Sequence, residues 1–315
     1  MFVQVRRTPT STKRMGAAEQ GLHRHSVAER HCSKILSPHT SSLLTAVTCS
    51  PVTAALCDCR YYDCALKNLI TSWRSSFGHP TCFFGVVMLA AYIRDSTFPN
   101  DYIASLRDCQ LAALNLPKVA VVTATDLGDP GTAAGPGGAS TLHSVHPRHK
   151  APLGLRLAAA ALDHHYSVPG SARLYLSPRY RSARLLDGTR PSELSAVEIH
   201  FELLPAEVLP LRLLTAGQPT TADPHGLSTA CPVHMGVPVS ACAGFEVQTD
   251  DGAWHTASVR SIGIRGNSII LAIASANRST ASLTATRFGQ APWPVNSVIT
   301  AGDVPLFPWQ AHPIS

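Results

Sequence analysis

The residues best suited to chemistry lie between Val119 and Lys150, in VAVVTATDLGDPGTAAGPGGASTLHSVHPRHK. His146 stands first among them. An imidazole titrates near neutrality, so it can take a proton from a hydroxyl and hand one back to a leaving group. Asp126 and Asp129, around Gly128, supply carboxylates of the kind that orient such a ring. Arg148 and Lys150 are cations that suit an acidic substrate, since a guanidinium pairs with a carboxylate through two parallel hydrogen bonds. Solvated charges at a helix start are the competing reading of both. Acid, loop, histidine and basic residue in this order read as one half of a hydrolase site, the other half being a nucleophile. His143, His146 and His149 recur every third residue, but no carboxylate is interleaved and a loop fixes no ligand geometry. No metal or other cofactor is expected.

The surrounding pattern implies how these residues are held. Val119 to Thr125 is a short apolar, β-branched run, which reads as a strand buried on both faces, as in a parallel sheet. The aspartates then fall at its carboxyl end, where open α/β sheets place their ligands. A Gly/Pro-rich loop follows, and a run of Leu and Ala from Pro152 to about His164 predicts a helix. Upstream, Leu66, Leu69, Ile70, Trp73 and Phe77 recur at helical spacing, and Gly78 and Pro80 end that helix. Phe83 to Ala91 reads as another buried strand, and Ile103, Leu106, Gln110 and Ala113 mark a further helix. Strand, helix and strand in this order imply parallel strands joined by right-handed crossovers.

After Tyr166 the texture changes to short alternating runs punctuated by Pro, Ser and Gly. Ala196–Phe201, Leu211–Leu214, Phe245–Gln248, Ser268–Ile273 and Ser282–Thr286 read as strands, with turn signals at Asp250-Asp251-Gly252 and Gly266-Asn267. Pro205 to Gly244 is loose in composition and reads as an insertion or mobile loop. Residues 1–59 show no sustained period and read as a poorly ordered leader. The expected organisation is a leader over 1–59, an α/β domain over 60–168 and a β-rich, sandwich-like domain over 169–315.

Several of these stretches match one known family in a single consistent order. DLGD at Asp126–Asp129 and VHPRHK at Val145–Lys150 resemble the last catalytic block of sialate O-acetylesterases, serine esterases of the SGNH-hydrolase type. YYDCALKNLITSWRSSFG at Tyr61–Gly78, FFGVVMLAAY at Phe83–Tyr92 and LRDCQLAAL at Leu106–Leu114 resemble the preceding helix, strand and helix. SPRYRSARLLDG at Ser177–Gly188 and RFGQAPWPVNSVI at Arg287–Ile299 resemble the closing β-domain. The resemblance implies part of a three-layer α/β/α domain followed by a β-rich one. It implies hydrolysis of O-acetyl esters on sialic acid by a serine nucleophile, a histidine base and an oxyanion hole. It makes His146 the base, beside which Asp126 or Asp129 is the candidate orienting acid and Arg148 the candidate substrate-binding residue. The expected partner is acetylated sialic acid or a related sugar ester, in a secreted or lysosomal setting.

The departures concern the other half of the site. The family's Gly-Gln-Ser-Asn nucleophile stretch is absent: Gly217-Gln218 is followed by Pro219, and Gly289-Gln290 by Ala291. Leu56-Cys57-Asp58-Cys59 stands where a Gly-Glu motif is expected. Met88 occupies a place where many relatives carry Gln, and His143 stands where many SGNH enzymes carry the orienting Asp. The expectation is a histidine half-site without independent activity. The alternatives are a carbohydrate-binding or interaction module on the β-domain, with Trp293, Trp309 and Tyr180 as a stacking face, or a truncated gene product. Core packing is the competing reading of those aromatics.

Composition narrows the remaining classes. The chain has 315 residues, 45% of them hydrophobic, enough for a substantial core, and a net charge of +6. That charge is scattered and no nucleic-acid motif accompanies it, so no nucleic-acid partner is expected. No run reaches membrane-spanning length, and Met1 to Gln20 lacks the apolar core of a signal peptide. The nine cysteines include no pair at zinc spacing. Cys231 with Cys242 is the first candidate disulfide. A single sequon, Asn277-Arg278-Ser279, would matter only on the secretory route.

Overall fold

A computed structural model describes residues 59–92, 101–129, 144–186, 196–263, 266–273 and 282–314. Of the leader expected over 1–59, all but Cys59, which opens the first helix, lies outside the described residues, as do His143, most of the Gly/Pro-rich loop and the sequon. The first helix, α1, runs Cys59–Ser76 and buries Ile70. It stops where Gly78 takes φ +68°, a left-handed conformation that lets His79 N–H reach back to Arg74 O at 2.9 Å.

Strands β1 (Phe84–Val87) and β2 (Val119–Val122) pair in parallel, Phe84 opposite Val119, with helix α2 (Asp101–Leu111) between them in sequence. Because successive side chains in a strand point to opposite faces, the apolar runs feed two separate clusters. Val86, Met88, Val119 and Val121 pack against Ile70 and Leu66 of α1. Ala120 and Val122, with Phe83 and Val87, pack against Leu153, Leu157, Ala159 and Ala160 of α3 (Ala151–His164). Helices thus lie on both faces of the pair, as the uninterrupted apolar patterning requires. Among the described residues this parallel sheet is two strands wide. Val121 is fully buried, while Phe83 and Phe84 are half-buried.

The rest is dominated by one antiparallel sheet made of β3 (Tyr180–Leu186), β4 (Ala196–Phe201), β7 (Phe245–Thr249), β8 (Trp254–Ile262), β9 (Ser268–Ile273), β10 (Leu283–Phe288) and β13 (Trp309–Pro313). Their order across the sheet is β13-β10-β7-β8-β9-β4-β3. Instead of the expected sandwich, this single sheet curls until its edge strands β3 and β13 meet. Tyr180 stacks on His312, with ring centroids 4.6 Å apart, and lies 5.3 Å from Trp309. Phe201, Phe245, Phe288 and Trp309 fill the concave side. Two short pairs complete the framework: β5 (Arg212–Leu213) with β12 (Val298–Ile299), antiparallel, and β6 (Cys242–Ala243) with β11 (Trp293–Pro294), parallel.

The stretch Pro205–Gly244, expected as an insertion or mobile loop, is built into the fold. Asp223 is buried, and its carboxylate accepts the Ser228 N–H at 2.7 Å. Ala222 packs with Ala90, Ala124 and Leu127 beyond the carboxyl ends of β1 and β2. Cys231 and Cys242 form the expected disulfide. Cys64 and Cys109 are also disulfide-bonded, and Cys82 is a free thiol. No helix among the described residues is long and apolar enough to cross a membrane.

Arg107 of α2 joins the α/β part to the large sheet. It is wholly buried and donates to four carbonyls: Leu89 O, Ala90 O, Ala291 O and Pro292 O, at 2.7–3.0 Å. Beside it, Asp108 accepts from Gln290 Nε2 at 3.3 Å and also hydrogen-bonds Gln310. Burial raises the Asp108 carboxyl from 3.8 to about 6, against the smaller pull of Gln290, Gln310 and Arg107. A folded-state value above the unfolded one means that the fold favours the protonated acid. This contribution to stability is complete below 3.8 and is lost as pH rises through about 6. Asp108→Asn should therefore gain stability over the parent progressively across that window and hold the gain to pH 7.5. Urea melts at closely spaced pH values measure the gap, and parallel pH profiles for the two proteins would contradict the assignment.

Candidate functional site

The site grows out of the carboxyl end of β2, where the backbone leaves the sheet between two buried threonines. Thr123 Oγ1 and Thr125 Oγ1 lie 3.0 Å apart, and Thr125 Oγ1 donates to Asn296 Oδ1 at 3.4 Å. Asn296 is itself fully buried, with its N–H on Ser228 O at 2.7 Å. The strand end is thereby tied to the 215–230 segment and to the turn after β11. Satisfied polar groups in a dry setting hold one geometry, because any alternative leaves a donor or acceptor unpaired.

Asp126 and Asp129 have different surroundings. Asp126 is buried and makes a two-pronged pair with Arg156 of α3: Nη1 to Oδ1 at 2.7 Å and Nη2 to Oδ2 at 2.6 Å. The same guanidinium donates to Thr123 O at 2.9 Å and to Asp303 O at 3.3 Å. Asp303 adopts φ +61° in the turn before β13, and its carboxylate takes Arg212 and the N–H and hydroxyl of Thr221. Asp126 is in this way part of the scaffold linking β2, α3 and the 300–304 turn.

Gly128 separates the two aspartates for a steric reason. A Cβ there would stand 2.5 Å from Ala91 Cβ and 2.9 Å from the Trp293 ring. Asp129 then faces the returning chain. Its N–H donates to Ser144 O at 3.1 Å. Its carboxylate accepts from Arg148 Nε at 2.5 Å and Nη2 at 3.0 Å, and this hydrogen bonding raises the guanidinium's pKa. His146 stands between those two attachments, half-buried, followed by the buried Pro147. His149 and Lys150 are exposed at the start of α3.

Of the residues singled out from sequence, Asp129, His146 and Arg148 thus come together in one segment, while Asp126 turns toward Arg156. Arg156, Asn296, Thr125 and Asp303 were not anticipated. Only Arg156 carried a signal, as a charge on the same helical face as Pro152, Ala159 and Ala160 in APLGLRLAAAALDH. Trp293 and Trp309 are core residues, so neither presents a ring to a sugar. No cluster of three or more metal-ligating side chains occurs among the described residues.

Neither a family model nor a curated protein matches this chain. Among solved structures, a carbohydrate acetylesterase from Xanthomonas citri is similar over 79% of this chain, with a TM-score of 0.53 and 22% sequence identity. The chain spans 45% of the length of that structure. The likeness is one of fold, and it relates the mixed α/β architecture to that of a carbohydrate esterase.

The Asp126–Arg156 pair is a sharp test of the scaffold. Removing one member of a buried ion pair strands the other, at a cost of about 3–5 kcal/mol. Arg156→Ala and Asp126→Ala should each destabilise by about that amount in urea melts, whereas Asp126→Leu with Arg156→Met should recover most of the loss. Single variants as stable as the parent would show that the pair does not hold the strand end.

Proposed function

We propose that this chain carries the base-bearing half of a carbohydrate acetylesterase site. The observation that supports it best is the place of His146: beyond the carboxyl end of a parallel strand, on a segment attached twice to Asp129. The fold shared with an acetylesterase gives that place a chemical context.

In the proposed reaction a serine hydroxyl attacks the acetyl carbonyl, and His146 takes the hydroxyl proton. Hydrogen-bond donors hold the oxyanion, and the proton passes to the departing sugar oxygen. Water then releases acetate by the same route in reverse. Asp129 is the carboxylate next to the histidine segment, and Asp126 supports it from the scaffold. The 315 residues lack the Gly-Gln-Ser-Asn stretch that would supply the serine, so in the completed site it comes from a separate segment. We propose accordingly that the chain is inactive alone, and that O-acetylated sialic acid is the substrate of the completed site.

The purified chain should hydrolyse neither O-acetylated sialic acid nor a simple acetyl ester above background, and a fluorophosphonate probe should leave it unlabelled. Adding a separate segment that carries Gly-Gln-Ser-Asn should produce activity, and His146→Ala should return it to background, since a triad missing one member loses several orders of magnitude in rate. Reconstituted hydrolysis that survives His146→Ala would refute the reading. So would a serine in the chain alone that is labelled stoichiometrically.

A further inference from the structure

We propose that Arg148 is a positioning residue that sets the place of His146 through Asp129, and not a group that meets a substrate's acid. This rests on the reading of His146 as the base. The segment Ser144–Arg148 is held at both ends by the same residue. At its start Ser144 O takes the Asp129 N–H, and at its end the Arg148 guanidinium grips the Asp129 carboxylate with Nε and Nη2 together. His146 is the middle residue of that closed ring. Pro147 has a restricted φ and is buried, which removes slack from the half nearest Arg148. Asp129 is anchored in turn, because Gly128 lies against Ala91 and Trp293 with no room for a side chain. The ring is thus closed on Asp129, with His146 midway between its two attachments, and runs on into α3 just beyond Arg148.

The geometry distinguishes this role from substrate binding. A guanidinium recognises a carboxylate by presenting two parallel N–H groups, and the Nε/Nη2 edge of Arg148 already presents them to Asp129. A substrate acid seeking that edge would have to displace an internal carboxylate that is covalently tethered in place. Nor is the pair well placed to stabilise the fold, because partly exposed ion pairs contribute little. A two-pronged geometry at such a site acts chiefly through orientation. Lysine could keep the charge, but it would lose the fork and, with it, the fixed direction of the segment.

The test uses the whole chain and needs no activity. The ring signals of His146 are followed by NMR at fixed pH, and its carbethoxylation by diethyl pyrocarbonate by mass spectrometry, in the parent, Arg148→Ala, Arg148→Lys, Asp129→Asn and the exchange Asp129→Arg with Arg148→Asp. Arg148→Ala and Asp129→Asn each open the closure of Ser144–Arg148 on Asp129, so the His146 ring signals should shift and broaden in both. His146 should be modified several-fold faster in both, with Arg148→Lys behaving like Arg148→Ala in modification rate, while thermal midpoints stay near the parent's. The exchange should move the ring signals back toward the parent. Unchanged ring signals and reactivity in Arg148→Ala and Asp129→Asn would overturn the proposal.

With the reconstituted esterase, Arg148→Ala should lower kcat equally for an acidic sugar ester and a neutral acetyl ester. A rise in KM confined to the acidic substrate would overturn the proposal in favour of direct binding. Reconstituted activity that survives His146→Ala while the NMR shifts remain would instead remove the esterase reading and leave the ring intact.

Discussion

A guanidinium with no access to water governs how this molecule is assembled. Arg107 keeps its charge in a site where burial pulls its pKa down to about 9. Such a group is tolerated only if its donors are satisfied, and four backbone carbonyls satisfy them. Two of those carbonyls follow β1 and two precede β11, so the cation can be accommodated only when the α/β part and the large sheet are in register. Tyr92 N–H on Pro292 O at 2.9 Å repeats the connection with a neutral donor. The two parts form one scaffold because separating them would strand a charge.

The candidate site inherits its geometry from that junction. Pro292 leads directly to Trp293, whose ring closes over Gly128 and whose indole N–H reaches Leu227 O at 3.3 Å. Beneath the strand end, Arg156 repeats the logic of Arg107 with a carboxylate among its acceptors, drawing Asp126, Thr123 and Asp303 together. Buried arginines thus set the site's floor on the helix side, and a buried tryptophan sets it on the sheet side. Gly128 and Asp129 are half-exposed where Leu127 is still buried, and with Asp129 the chain reaches the partner of Arg148. A rigid floor under a short exposed segment is the arrangement that proton transfer needs, because a base must meet its partner within hydrogen-bonding reach.

Much of the framework was legible in the residues. The helical spacing of Leu66, Ile70 and Trp73 fixed a face, and Gly78 ended that helix. The unbroken apolar runs through Phe84–Val87 and Val119–Val122 required cover on both sides, which is why a parallel pair between helices could be anticipated. Strands β3, β8 and β13 were harder to read. In β3 only Ala183 is buried, so no apolar alternation marks it. Its place comes from antiparallel pairing with β4, Tyr180 opposite Phe201, and from Tyr180 stacking across to β13, a contact between residues far apart in sequence. For the same reason a curled single sheet could not be told from a sandwich, because both have the same inward alternation along each strand.

At the site, the sequence by itself determined which residue types were present and their order: two carboxylates at a strand end, a histidine, a proline and an arginine before a helix. It also determined that no Gly-Gln-Ser-Asn stretch accompanies them. Only the tertiary structure decided how the charges pair. Asp126 and Asp129 are three positions apart and look equivalent along the chain, yet one is buried against Arg156 and the other meets Arg148 at the surface. Between them Gly128 packs against Ala91 and Trp293 with no room for a side chain, and the partners of the two carboxylates come from different elements, Arg156 from α3 and Arg148 from the segment before it. A pairing of charges depends on distance and on access to water, and both are properties of the packed molecule that no local pattern encodes.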